Sequence, residues 1–212
     1  MNYFTITKQS VLSTIVFILM AFQLNQAVAN PTPPDEVVKT TLQKALAELE
    51  ENRAEFAADS KKLDKAINDI LGPAINFELF SKGVLGKHRR DITPQQFDAF
   101  VAEFKRLLIG TYASTVFEYS GQKINYLPFS NPKNKDRVKV VAEFLTQSGG
   151  KIPMTFSMNI RDDTKWRVYN IKVQTPDATI ELIPLFRTDY SDRISKVGID
   201  KLIEEMREIN NS

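Results

Sequence analysis

The sequence predicts an α+β domain in which helices come first along the chain and a curved antiparallel sheet follows. Three observations support this prediction. Apolar residues recur at helical spacing as far as residue 116. After Gly121 they alternate with polar residues in four successive runs, and short polar turns join these runs, as in a meander of strands. A last helical stretch then closes the chain.

The composition excludes several classes of protein. The 212 residues include one His and no Cys, which removes thiolate nucleophiles, disulfides and Cys-based zinc sites. The 28 Lys and Arg residues against 26 Asp and Glu leave a net charge of +2, so nucleic acid is not expected as a partner. We predict no metal site, no cofactor and no catalytic residue.

Residues 1–29 are predicted to be a secretory signal peptide. Lys8 precedes an uncharged apolar run at residues 11–22, and Ala-Val-Ala at residues 27–29 supplies the small residues of a cleavage site. The run is shorter than the roughly 20 apolar residues of a membrane-spanning helix. We expect cleavage after Ala29 and a single soluble domain, residues 30–212, in a bacterial periplasm.

Two helical stretches and a linker come next. Apolar residues at helical spacing between residues 38 and 49 predict a first helix, with Asp35 as its N-cap. A second stretch, residues 63–71, ends at Gly72. Residues 77–80 form a short apolar segment, and residues 81–91 are predicted to be a polar linker.

The longest predicted helix begins at Thr93, which is followed by Pro94 and Gln96 in the pattern of an N-cap and capping box. A wide apolar face follows over about six turns. It consists of Phe97, Phe100, Val101, Phe104, Leu107, Leu108, Thr111, Tyr112, Thr115 and Val116. The simplest arrangement packs this face across one side of the sheet.

The strands are predicted from alternation of period two. They cover residues 124–126, 138–145, 152–160 and 166–169. The final helical stretch, residues 194–206, is predicted to break at Gly198, with Asp200 capping its second part.

The candidate site is apolar. Met154, Phe156 and Met158 share one face of a strand, and Met and aromatic side chains make adaptable linings. Such a stripe is either ordinary core or the lining of a ligand cavity between sheet and helices. The predicted lining residues are Phe104, Leu108, Tyr112, Val116, Val140, Phe144, Met154, Phe156, Met158 and Val168.

A basic cluster is the main polar candidate. Lys87, Arg89 and Arg90 flank His88 and are predicted to bind a phosphate or the acidic surface of a partner. The alternative is a solvated loop. The only side chains worth testing for catalysis in a cavity are Tyr112 and Tyr126.

A series of short motifs resembles one known family. The motifs, in chain order, are LGK (85–87), TPQQF (93–97), Phe100, Phe104, LL (107–108), TY (111–112), YSGQKI (119–124), RVKV (137–140), GGKIPM (149–154), WRVYN (166–170) and GIDKLI (198–203). Their order is similar to that of the MlaC, or toluene-tolerance auxiliary, family of periplasmic phospholipid-binding proteins.

The resemblance implies a fold like that of nuclear transport factor 2, with added helices and a deep apolar cavity for acyl chains. It also implies a carrier, expected to be a monomer, that moves glycerophospholipid between an outer-membrane lipoprotein complex and an inner-membrane ABC transporter with a substrate-binding hexamer. That role maintains the lipid asymmetry of the outer membrane and resistance to solvents.

The chain departs from the family pattern at four places, which concern lipid identity and partner choice more than the fold. An aromatic pair is common where His88-Arg89 stands, Asp where Asn170 stands, Gly-Val-Ser around Gln174–Asp177, and Tyr-Arg where Phe186-Arg187 stands. Three rival functions remain open: a carrier of a hopanoid or quinone, an enzyme, and an adaptor or chaperone that binds only proteins.

Overall fold

A computed structural model describes residues 31–118, 123–129, 136–146, 149–160 and 164–211. In these residues helices precede the sheet and two more helices follow it. The predicted signal peptide, residues 1–29, lies outside the described residues.

Seven α-helices lie within the described ranges. They are α1 (Pro34–Glu51), α2 (Arg53–Ala58), α3 (Ser60–Leu71), α4 (Phe77–Leu85), α5 (Pro94–Glu118), α6 (Leu182–Val197) and α7 (Ile199–Asn211). Short 3-10 turns at Gly72–Ala74 and Gly86–Arg90 link α3 to α4 and α4 to α5.

Five strands form one antiparallel sheet in the order β1-β2-β3-β4-β5. They are β1 (Ile124–Tyr126), β2 (Arg137–Leu145), β3 (Lys151–Asn159), β4 (Arg167–Gln174) and β5 (Thr179–Glu181). Each strand pairs with its neighbour along the chain, so the predicted meander and the α+β fold class are confirmed.

The predicted end of β4 at residue 169 is wrong, and β5 was missed. A register shift in the β3–β4 ladder explains the error. Met158 lies opposite Val168 and Ser157 opposite Asn170, so β4 contains one extra residue, Tyr169. This bulge breaks the period-two pattern, because the next apolar residue on the same face is Ile171, three positions after Val168.

The helix starts follow local capping chemistry with one correction. Pro33, not Asp35, is the N-cap of α1; Asp35 lies in the first turn, where a carboxylate favours the helix dipole. Asp59 caps α3, its Oδ1 accepting from the backbone N–H groups of Lys61 at 3.0 Å and Lys62 at 3.3 Å.

The predicted linker at residues 81–91 is also wrong in its first half. Helix α4 continues to Leu85, and Val84 and Leu85 are buried. The apolar spacing from Phe77 through Phe80 to these two residues is helical. Asn76 caps the helix, its Oδ1 accepting from the N–H of Leu79 at 2.9 Å.

The capping box of α5 is confirmed. The N–H of Thr93 donates to Oε1 of Gln96 at 2.9 Å, and the N–H of Gln96 donates to Oγ1 of Thr93 at 3.2 Å. However, the main contacts of α5 are with helices α3, α4 and α7, whereas the sheet contacts α1, α4 and α6. The expectation that α5 packs across the sheet is therefore wrong in its main contacts.

The last two helices meet at Gly198, as predicted. Its φ of +82° is strained for any residue with a side chain. Helix α6 begins at Leu182, much earlier than the predicted residue 194. Pro184 does not prevent this start, because it lies in the first turn, where proline is tolerated. Asp200 is not the N-cap that was predicted: it lies in the first turn of α7, which begins at Ile199, and its Oδ1 accepts from Nε2 of Gln96 at 2.9 Å.

The buried apolar residues form three clusters. The helical cluster holds Phe77, Phe80, Val84, Leu85, Phe100, Phe104, Leu108, Leu182, Ile183, Tyr190, Ile199, Leu202, Ile203 and Met206. The sheet cluster holds Val38, Val138, Val140, Ala142, Phe156, Met158 and Val168. The N-terminal cluster holds Leu49, Phe56, Leu63, Ile67 and Ala113.

Candidate functional site

One face of the sheet is apolar across four strands. Residues directly opposite each other in an antiparallel ladder share a face. The register places six predicted lining residues on this face: Val140, Phe144, Met154, Phe156, Met158 and Val168. Ile124, Tyr126, Ala142, Ile152, Ile171 and Val173 lie on the same face.

The exposure of this apolar face changes along the strands. Met158 is fully buried, and Val140 and Phe156 are at most 5% exposed. Towards the other end of β3, Met154 and its diagonal neighbour Phe144, which lies opposite Ile152, are only half-buried, although Ala142 directly opposite Met154 is buried. The face is therefore closed at the Met158 end and partly open at the Met154 end.

The four predicted lining residues of α5 lie elsewhere. Phe104 and Leu108 are members of the helical cluster, and the half-buried Tyr112 packs against it. Val116 packs against the N-terminal cluster. The structure thus brings together the six sheet residues but not the sheet and α5 stripes. Contact of any of these ten residues with a ligand stays a prediction.

Two residues missed by sequence reasoning connect the sheet face to the helices. Ile75 and Ile171 each pack against both the sheet cluster and the helical cluster. Ile75 forms a parallel bridge with Val168 just before α4 begins. Ile75 is an isolated apolar residue after a 3-10 turn, so no periodic pattern predicts its place at the junction between sheet and helices.

Asn76 fixes the junction between α4 and the sheet. Its N–H donates to the carbonyl of Val168 at 2.8 Å, and its Nδ2 donates to Oδ1 of Asn159 at 3.2 Å. Asn159 is buried on β3. Because the same side chain also caps α4, the position of the helix is tied directly to the register of the sheet.

Asn170 makes the equivalent junction with α6. Its Nδ2 donates to Oε1 of Glu181 at 2.6 Å, and its Oδ1 accepts from the N–H of Ile183 at 3.0 Å. At neutral pH the amide both donates and accepts here, whereas an ionised Asp has no donor. This departure from the family pattern therefore suits the glutamate at residue 181.

The basic cluster forms a corner between α4, α5 and α6. Lys87, Arg89 and Arg90 are exposed on the 3-10 turn, whereas His88 is half-buried with its Nε2 3.0 Å from Oγ of Ser191. Arg187 on α6 donates from Nε to the carbonyl of Gly83 at 2.7 Å. The corner is thus held to α6 while its three outer cations face solvent.

The two tyrosines that were candidates for catalysis are both shifted away from ionisation. Burial raises the pKa of Tyr112 and of Tyr126, so both phenols remain neutral and are weaker acids than a free tyrosine. The two tyrosines also pack against different clusters. Within the described ranges, no three acidic or His side chains are grouped to hold a metal ion, and no helix combines the length and hydrophobicity that a bilayer span requires.

Comparison with known proteins identifies the family of this chain. The model of the MlaC protein family matches residues 39–208. The toluene tolerance protein ttg2D of Pseudomonas putida is 30% identical over 194 residues, covering 90% of this chain and 86% of that protein. The intermembrane phospholipid transport system binding protein MlaC of Haemophilus influenzae is 23% identical over 197 residues, covering 92% and 90%.

The fold also matches a solved structure. The phospholipid-binding protein of Ralstonia solanacearum, in complex with a phospholipid, aligns with a TM-score of 0.75 at 22% identity, covering 85% of this chain and 98% of that chain. This likeness shows the same α+β fold. From the extent of the family match and the identity to the Pseudomonas protein, this chain belongs to the MlaC protein family.

Proposed function

We propose that this protein is a periplasmic carrier of glycerophospholipid without catalytic activity. It takes lipid at an outer-membrane lipoprotein complex or at an inner-membrane ABC transporter with a substrate-binding hexamer, and delivers it to the other. The transfer maintains the lipid asymmetry of the outer membrane and tolerance of solvents. The observation that carries this proposal is the apolar face of the sheet, closed at Met158 and partly open at Met154.

The names of the relatives support this ligand. One is a phospholipid transport system binding protein, and the solved protein of the same fold is a complex with a phospholipid. Acyl chains are the groups that an apolar face with one open end suits best. Met side chains at the open end adapt to chains of different length, because the thioether has many rotamers.

The free energy of such binding comes from the acyl chains. Burying each methylene contributes about 0.8 kcal/mol, so two acyl chains give tight binding with no polar clamp. Release is then the slow step. A partner that binds the lipid-free conformation more tightly shifts the equilibrium towards release.

Mass spectrometry of lipid extracted from the purified protein tests the ligand. We expect glycerophospholipid with two acyl chains, in near one-to-one amount. A hopanoid or quinone in its place supports the rival carrier, and protein purified without any lipid supports the adaptor. Extracting the lipid should lower the unfolding midpoint, because a ligand bound only to the folded state stabilises it.

The basic corner is the proposed contact with an acidic partner surface. The three exposed cations, Lys87, Arg89 and Arg90, form one side of it. Reversing all three to Glu should leave bound lipid unchanged but slow lipid transfer to the partner complex. Reversal of Lys61, Lys62 and Lys65, exposed on α3, is the matched control. Equal slowing by both triple variants would show that only net charge matters.

Export and processing complete the proposal. A signal peptide of residues 1–29 is removed, and residues 30–212 form the carrier domain. The intact mass of the protein recovered from the periplasm should correspond to a chain beginning at Asn30. A mature form that retains residues 11–22 would contradict a soluble carrier.

A further inference from the structure

A second surface of the molecule, opposite in charge to the basic corner, has the features of a docking cleft. A cleft of about 460 Å³ opens between α5, α6 and α7. Its lining consists of Leu107, Asp189, Tyr190, Arg193, Leu202, Glu205, Met206, Glu208 and Ile209. Tyr190, Leu202 and Met206 are buried, whereas Ile209 is 60% exposed. The cleft therefore has an apolar floor and an exposed apolar side chain on α7.

The charged residues of this cleft are mostly acidic. Arg193 and Glu205 form an ion pair that joins α6 to α7. Two further carboxylates, on Asp189 and Glu208, are exposed at the rim. One cation against three carboxylates leaves a local charge of −2, although the whole chain carries +2.

The shape of the cleft favours a helical segment. Leu202, Met206 and Ile209 follow one another at the i, i+4 and i+7 positions of α7, a row about 10 Å long. Leu202 and Met206 are at most 3% exposed, so an amphipathic helix laid along this row meets the exposed Ile209 with its apolar side chains and the rim with its polar residues. Carboxylates at the rim require Lys or Arg at those polar positions.

We propose that the cleft between α5, α6 and α7 docks a basic amphipathic helix of a partner protein. The carrier then has two docking surfaces of opposite charge on the two sides of α6. Ser191 contacts the basic corner through His88, while Asp189, Tyr190 and Arg193 line the cleft. Two surfaces of opposite charge let one small protein distinguish two partners, because each surface repels the partner of the other.

The test uses the purified protein and a labelled synthetic peptide of about four helical turns, with Leu at i, i+4 and i+7 flanked by Lys. A twin peptide carries Glu in place of Lys. Fluorescence anisotropy should show that the Lys peptide binds at least about tenfold more tightly than its twin. Equal binding of the two peptides, or no binding of either, overturns the proposal.

Two variants locate the binding on the protein. The double variant Asp189→Lys/Glu208→Lys should weaken binding of the Lys peptide about tenfold. The control Asp192→Lys/Glu204→Lys makes the same charge change on the same two helices, at exposed residues outside the cleft. Equal weakening by both variants means non-specific attraction and overturns the proposal. Ile209→Ser, at an exposed position, weakens binding without a change of charge.

Two further measurements on the same preparations exclude other occupants. Sedimentation should show no association that the cleft variant abolishes, since such association would assign the cleft to a second copy of the chain. Bound lipid should be unchanged in the cleft variant, since its loss would assign the cleft to the lipid site. Docking at the cleft can thus be disproved while the carrier function stands, because the carrier function is tested by the lipid bound to the unmodified protein.

Discussion

The helical cluster and the apolar face of the sheet are both hydrophobic, yet they are built differently. In the helical cluster, aromatic rings interlock around Phe104, whose ring centroid lies 5.4 Å from Phe80, 5.6 Å from Phe100 and 5.2 Å from Phe186. Two of these pairs are edge-to-face, a geometry that adds to the free energy of burial. Phe80, Phe100 and Phe104 are each at most 1% exposed.

The sheet face has smaller or more flexible side chains and a gradient of exposure. Val140 and Met158 are buried at one end, while Met154 and Phe144 are half-buried at the other. The difference shows that equally hydrophobic regions can form either a tightly packed core or a partly exposed face. Interlocked rings resist rearrangement and supply stability, whereas a graded face can admit and release an apolar ligand.

The largest expected effect is on the helical side. Phe104→Ala should reduce the free energy of unfolding by about 3–5 kcal/mol, because it removes the central ring of the aromatic group and leaves a cavity. Chemical denaturation measures the loss. Phe104→Leu serves as a milder variant if the Ala protein does not fold. Bound lipid per folded molecule, measured on the same preparation, tests the predicted ligand contact of Phe104 separately: loss of lipid in a folded variant supports that contact, and unchanged lipid removes Phe104 from the lining.

The next prediction compares the two ends of the sheet face. Met158→Glu places a carboxylate at a fully buried position and should destabilise the domain by about 3–5 kcal/mol. Met154→Glu places the same group where water can reach it, and should reduce stability by only about 1–2 kcal/mol. We expect the Met154 variant to fold without lipid. The matched variants Met154→Leu and Met158→Leu should keep both fold and lipid.

Lipid analysis and thermal unfolding on the same preparations decide this comparison. Full lipid retention by Met154→Glu would remove that end of the face from the site. Failure of Met154→Glu to fold would instead show that the apolar face is ordinary core along its whole length.

A smaller effect is expected at the end of α7. Glu103 on α5 accepts from Nε of Arg207 at 3.2 Å and from Nδ2 of Asn210 at 2.8 Å. Glu103→Gln should reduce the free energy of unfolding by about 1–3 kcal/mol, because the charged acceptor shared by Arg106, Arg207 and Asn210 is lost. Bound lipid should not change, since this carboxylate stabilises the helical side only.

The same carboxylate should make the free energy of unfolding depend on pH in the acid range. Burial alone would raise the pKa of Glu103, but hydrogen bonds from Asn210 and Arg207 and the charge of Arg106 hold it below its usual value. Its contribution is therefore complete above the unfolded pKa, about 4.3, and is lost as the pH falls through the lower folded pKa. Denaturation as a function of pH should show a shallower acid limb for Glu103→Gln. Parallel acid limbs would contradict this assignment.

The smallest expected effect lies where the two regions meet. Asn170→Asp removes the donor to Glu181, leaving two carboxylates at hydrogen-bond distance. We expect a loss of about 1–2 kcal/mol at neutral pH. The pKa of the introduced carboxyl group should be raised, so the loss shrinks as the pH falls below that pKa. A double variant with Glu181→Gln should recover stability at neutral pH.

Much of the fold could be predicted from local patterns. The capping box at Thr93 and Gln96 and the alternation in β2 and β3 depend on neighbours in the chain. Both predictions are confirmed. Failures occurred where a local signal was interrupted. Tyr169 shifts the phase of β4, and the buried Ser81 followed by Lys82 and Gly83 gives residues 81–85 the composition of a linker.

The candidate site could be predicted only in part. Six sheet residues share one face because alternation and antiparallel pairing together determine which side chains are neighbours. Ile75 and Ile171 join that face to the helices, and neither stands out in the sequence. The difference between Met154 and Met158 is likewise absent from the sequence, since both have the same residue type and the same parity.

The sequence by itself determined the class of this protein, the order of its elements and the sides of its strands, because these follow from residue spacing and from interactions a few positions apart. Only the tertiary structure decided what each apolar surface contacts. The wide face of α5 was predicted to meet the sheet, yet its main contacts are with α3, α4 and α7. The physical reason is that the hydrophobic effect is non-directional. Periodicity predicts that a face is buried, but it does not predict which of several apolar faces will cover it.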